Sequence, residues 1–148
     1  MAKMLTIMDK SSYYGNLLMF LYAIGEKQAA IKMEQNVREE VPIVKKVVSE
    51  RQINVDEKVE NAENVLETAS KNLNYWSQRV GFPPISDEGM KKIHKFCEDE
   101  KRREYLRGQI LKYLRGRKVV SIRDLMLQRY AVEKKEAEKK KRKEEAED

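Results

Sequence analysis

Three features of the sequence predict an all-α protein: a single helical bundle of four to five helices followed by a charged C-terminal helical or disordered tail. The 148 residues include only six glycines and three prolines, so few points interrupt a helix. Glu, Lys, Arg, Leu and Ala, all strong helix formers, dominate the rest. Between Val59 and Val80, apolar residues recur at alternating intervals of three and four, the signature of a buried helical seam. A chain of this length holds one domain with a real core. That domain is expected over 11–132, with an N-terminal arm over 1–10 and a charged low-complexity tail over 133–148. A hydrophobic fraction of 41% places the chain among folding sequences despite a charged fraction of 38%.

In chain order, Ser11 or Ser12 is expected to cap a first helix running to about Gln35, with Leu17, Leu21, Ile24 and Ile31 on its core face. Apolar residues surround that helix through Leu18, Met19, Phe20 and Tyr22, which predicts a central position. Pro42 can open a short second helix carrying Ile43, Val44, Val47 and Val48. The third helix bears Val59, Ala62, Leu66, Ala69, Leu73, Trp76 and Val80, and its two alanines permit close approach of a neighbour within a bundle. Gly81, Phe82, Pro83 and Pro84 end it, and Ser86, Asp87 and Glu88 start the next with acidic residues at the positive end of the helix dipole. The fourth helix is expected from Asp87 to Leu114, first with Met90, Ile93 and Cys97 inward, then with Leu106, Ile110, Tyr113 and Leu114. The charged run from Glu98 to Glu104 between them leaves a kink, an exposed middle and two separate helices all open. Gly116 breaks the pattern, and Ser121 with Asp124 signals a fifth helix containing Ile122, Leu125, Met126 and Tyr130. From Glu133 onward no apolar stripe continues, which predicts a frayed helix or a disordered tail.

Positive charge is concentrated in one stretch. Lys101, Arg102, Arg103, Arg107, Lys112, Arg115, Arg117, Lys118, Arg123 and Arg129 face only Glu104 and Asp124, so this stretch carries +8 in a chain whose total is +6. At about 100° per residue, Lys101, Arg107, Lys112 and Arg115 fall away from Leu106, Ile110 and Tyr113, on an outer helix face. Guanidinium forks suit phosphate and carboxylate alike, so the expected partner is nucleic acid or an acidic protein surface. Lys139, Lys140, Lys141, Arg142 and Lys143 add a basic block in the tail, answered by the acidic run after it. Gln109 to Tyr130 also has the outline of a helix-turn-helix, with Arg123, Gln128 and Arg129 available to bases. Tyr13 and Tyr14 are expected to be exposed anchors for a partner or for self-association.

Catalytic chemistry has little to rest on. The chain holds one His and one Cys, and His94 and Cys97 lie three residues apart without a second pair to complete a metal site. They read as a partly buried imidazole and a small apolar thiol, and no nucleophile–base pair or glycine-rich phosphate loop accompanies them. The expectation is a non-enzymatic protein without cofactor, metal or small-molecule substrate. A single cysteine precludes an internal disulfide and suits a reducing, intracellular setting. The longest apolar run, Leu17 to Ile24, is too short for a transmembrane segment.

Over residues 10 to 115, the Tyr13-Tyr14-Gly15 opening of an apolar helix, the alanine-containing helix from Asp56, the Pro83-Pro84-Ile85 divider and the charged helix with Tyr105 resemble the small helical-bundle proteins of two-tailed and tailed-spindle archaeal viruses. That family includes a virion protein and an inhibitor of the host RNA polymerase that occupies its DNA-binding channel. The resemblance implies a regulator of transcription that binds RNA polymerase or nucleic acid, in the cytoplasm of a host cell. A virion structural component that self-associates and coats nucleic acid is the second implication. The resemblance assigns no role to any individual residue.

Overall fold

The computed structural model describes the backbone of residues 7–39, 45–116 and 118–147, and the side chains of 7–35, 56–116 and 118–146. Arm residues 1–6 and the expected helix opening at Pro42, Ile43 and Val44 lie outside this range, as does Arg117. The described residues form five helices and no strand: α1 (Ile7–Glu39), α2 (Lys45–Arg79), α3 (Asp87–Cys97), α4 (Glu100–Leu114) and α5 (Ile122–Glu147). The protein is an all-α bundle.

α1 is the central element, packing closely against α2, α3 and α4. It begins at Ile7 and not at Ser11. Asp9 sits in its first turn, favoured by the dipole, and lies 3.9 Å from Arg79 on α2. The segments expected as a second and a third helix are one 35-residue helix, α2. No Gly or Pro occurs between Lys45 and Arg79, and the few tenths of a kcal/mol that each β-branched residue costs are too little to break it.

The seam on α2 faces α1, with Leu66, Ala69, Leu73 and Val80 buried. Leu17, Phe20, Leu21 and Ile24 meet them from α1; Ile93, Phe96 and Cys97 from α3, Leu106 and Ile110 from α4, and Ile122 and Leu125 from α5 complete one core. α2 ends in a Schellman turn: Gly81, at φ 102°, donates to the Gln78 carbonyl and Phe82 donates to the Ser77 carbonyl, each at 3.0 Å. Asn74 holds the following loop, its Oδ1 accepting from the Ile85 N–H at 2.9 Å. Ser86 then caps α3, its hydroxyl accepting from the Gly89 N–H at 3.0 Å.

The helix expected from Asp87 to Leu114 is two helices. Asp99 adopts an extended backbone and caps α4, accepting from the Lys101 N–H at 2.9 Å. Arg103 reaches back to the end of α3, donating to the carbonyls of Cys97 at 2.9 Å and Glu98 at 2.7 Å. The charged run thus serves as a junction: Asp99 caps the start of α4, and Arg103 of α4 satisfies the end of α3. Ser121 caps α5 as expected, accepting from the Asp124 N–H at 3.1 Å. α5 continues as helix to Glu147, the helical one of the two alternatives open for the tail.

Tyr13 and Tyr14 are corrected from exposed anchors to core: both are 0% exposed. The Tyr13 hydroxyl donates to the Val120 carbonyl at 2.9 Å. The Tyr14 hydroxyl donates to the Lys118 carbonyl and accepts from the Val120 N–H, both at 3.0 Å. Their rings are buried because their polar tips bind the turn between α4 and α5, which satisfies both backbone groups of Val120.

Candidate functional site

The basic stretch divides into side chains that hold the fold and side chains that face water. Arg102 belongs to the first group. Its guanidinium makes a two-pronged contact with Glu133, at 2.9 and 3.2 Å, and lies 4.6 Å from the ring centre of Phe96 and 5.3 Å from that of Tyr130. α3, α4 and α5 therefore meet at one arginine. The guanidinium hydrogen bonds hold the Glu133 carboxyl below its ordinary value, and the carboxylate in turn raises Arg102.

Arg129 lies 5.3 Å over the Tyr105 ring, with its Nε 3.4 Å from Glu133. That is an ion-pair distance without hydrogen-bond alignment, and Nε is buried with no hydrogen-bond acceptor. Arg103, besides closing α3, lies against Gly25 of α1, its Nε 3.5 Å from where a Cβ would stand. All three are removed from the expected contact surface, because guanidinium planes stack on rings and fork onto carbonyls inside a helical bundle as readily as they meet phosphate.

Lys101, Arg107, Lys112, Arg115, Lys118 and Arg123 are exposed, as are Lys139, Lys140, Lys141, Arg142 and Lys143. The ion pairs among the described residues engage none of them. Lys101, Lys112 and Arg115 share a narrow outer strip of α4, and Lys118 and Arg123 follow on the turn and on α5. The two tyrosine hydroxyls hold that turn in place, so these five cations are displayed on a fixed frame. Arg107 turns to another side, toward Met19 and Tyr22 of α1, and does not join them.

The helix-turn-helix outline loses two of its three expected base-facing side chains. Gln128 donates to the Tyr113 hydroxyl at 3.2 Å, and Arg129 is committed as described. Only Arg123 of the three points outward unengaged.

A cleft of about 940 Å³ lies beside the cationic frame, between the loop after α2 and the helices α3 and α5. Its walls are apolar, with Phe82, Ile85, Ile93, Phe96, Met126 and Tyr130, while Lys92, Lys95, Arg102 and Arg123 supply its charge and no carboxylate lines it. Lys92 and Lys95 lie outside the basic stretch 101–129 in sequence and reach the cleft from α3. The signal was available: Met90, Ile93 and Cys97 turned inward leave these two lysines on the outer side of the same helix.

His94 and Cys97 do not act together. The Ser70 hydroxyl donates to the Leu66 carbonyl at 2.7 Å, so it accepts from His94 Nε2–H at 2.8 Å, which defines the tautomer. Burial, with Lys27 nearby, lowers the His94 pKa. Cys97 is fully buried, and burial pushes its thiol up to about 12, far from a reactive thiolate at neutral pH. Among the described residues no group of three His, Cys, Asp or Glu side chains is placed to hold a metal ion. No helix among them is long and apolar enough to cross a membrane. No protein-family profile, no curated protein and no solved structure matches the chain.

Proposed function

We propose that the protein is a non-enzymatic regulator of transcription that binds RNA polymerase, or the nucleic acid in its path, and acts by steric exclusion. The observation that supports this reading is the frame of exposed cations Lys101, Lys112, Arg115, Lys118 and Arg123, held by the buried tyrosines and continued by the basic block of α5. Such an array gives fast, salt-sensitive encounter with phosphates or clustered carboxylates. The adjoining apolar cleft gives the buried contact area that charge alone lacks. A second reading, a virion or nucleoprotein component, draws on Lys139–Lys143, which lie on an exposed stretch of helix suited to lie along a polyanion.

Pull-down of the tagged chain from host lysate, with and without nuclease, tests the proposal. Retention of RNA polymerase subunits after nuclease, lost when Lys101, Lys112, Arg115 and Lys118 are changed to Glu, is the expected result. Capture of polymerase only while nucleic acid is intact would move the assignment to the second reading, and retention that survives charge reversal would sink the basic surface as the contact.

A further inference from the structure

α1 carries a second apolar stripe on the side away from the core. Gly15, Met19, Tyr22, Glu26, Ala29 and Met33 are separated by 4, 3, 4, 3 and 4 residues, the spacing of a helix–helix seam. Met19 and Tyr22 are 65% and 70% exposed, so the seam is left open by the described residues. On α2, Lys58, Asn61, Val65, Thr68 and Asn72 repeat at intervals of 3, 4, 3 and 4 and form the facing wall, with Val65 58% exposed. Between the walls run two adjoining hollows of about 880 and 480 Å³ that share Tyr22, Ala23 and Val65.

We infer that this groove is the interface of a two-fold dimer of the chain, in which α1 crosses its copy antiparallel with Glu26 at the axis. An isologous interface must be complementary to itself, and the stripe reads nearly the same in both directions about Glu26. Met19 falls opposite the partner's Met33, and Tyr22 opposite the partner's Ala30, a nearly buried residue that lines the second hollow. A large ring thus meets a small side chain, and flexible thioethers meet each other.

Charge points the same way. Glu26 and Lys58 both line the second hollow, both are exposed, and the ion pairs among the described residues engage neither. At the axis the two Glu26 carboxylates are flanked by the two Lys58 ammonium groups, one cation for each anion. A face about 27 Å long and two helices wide covers roughly 500 Å² per copy, near the lower bound for a specific interface, so the dimer is weak and reversible. Antiparallel pairing about a two-fold axis closes and does not propagate into a filament.

Sedimentation of the full chain over a concentration series tests the inference. The expected result is a rise from the 17.5 kDa monomer that stops at twice that mass. Tyr22→Lys and Met19→Glu, both at exposed positions, should each weaken the dimer at least tenfold while leaving the circular dichroism spectrum intact. Glu26→Cys at the axis should cross-link to its own copy on mild oxidation, whereas Glu88→Cys on α3 should not. A monomer at every concentration overturns the interface, as does association that Tyr22→Lys leaves unchanged or that grows past the dimer. Absence of the Glu26→Cys cross-link in a dimeric sample overturns the antiparallel register.

Discussion

At the residue scale, the side chains that decide this fold are amphipathic ones. Tyr13 and Tyr14 stand beside polar Ser11 and Ser12, a context that reads as surface, yet each buries a ring and spends its hydroxyl on the turn at Val120. Their acceptors and donor lie over a hundred positions away in the chain, and periodicity within one helix carries no information at that distance. Tyr14→Phe leaves the buried Val120 N–H without an acceptor, so stability should fall by about 1–3 kcal/mol. Thermal unfolding followed by circular dichroism should show it, at about 2–4 °C for each kcal/mol. Burial raises the pKa of both phenols, which agrees with neutral hydroxyls acting as donors.

His94 gives the pH dependence. Its folded pKa lies below the ordinary 6.5, first through burial and then through Lys27, so the folded state prefers the neutral ring. The sign follows: its contribution to stability is complete above 6.5 and is lost as pH falls from there through the lowered folded value. His94→Gln should flatten that part of the profile in denaturant titrations at pH 7 and pH 5. Equal slopes for the two proteins would show that another group is responsible.

At the scale of elements, helix type and a count of four to five were legible, and which segments join or divide was not. The α2 seam, the stop at Gly81 and the caps at Ser86 and Ser121 were all readable, because each is a local pattern of spacing or backbone chemistry. The fusion into one α2 and the division of α3 from α4 were not: the first depends on the absence of any strong breaker, the second on Asp99 and Arg103 choosing backbone partners over solvent. α5 shows the same limit. Beyond Glu133 its side chains are exposed, and alternating acids and bases allow pairs four apart, such as Glu136 with Lys140, that sustain an isolated helix weakly. Its acidic end opposes the helix dipole. Truncation after Lys135 should therefore change unfolding stability by less than about 0.5 kcal/mol, since no core contact is lost, while lowering helix content. A large drop in melting temperature on truncation would show that the segment docks on the bundle.

At the scale of the whole molecule, two surfaces with different chemistry lie on different sides. The cationic frame runs along α4, the turn and α5, and the mostly apolar groove runs between α1 and α2, with Arg107 and Leu111 on its α4 edge. They can be separated by substitution. The protein with Lys101, Lys112, Arg115 and Lys118 changed to Glu should still sediment as a dimer, because none of the four borders the groove. A dimer carries two cationic frames, so its contact with a long polyanion gains from joint attachment.

The sequence by itself determined the helical class, the central position of the first helix, the buried seam of α2, the end of α2, the starts of α3 and α5, the end of α4 and the place where positive charge gathers. These follow from composition, spacing and net charge, which are properties of short segments. The tertiary structure decided which cations face outward. Ten basic residues look alike in one dimension, but Arg102, Arg103 and Arg129 found rings, carboxylates and carbonyls from other helices, while Lys101, Lys112, Arg115, Lys118 and Arg123 did not. A side chain's partners come from elements distant in the chain, and only packing brings them within hydrogen-bonding range.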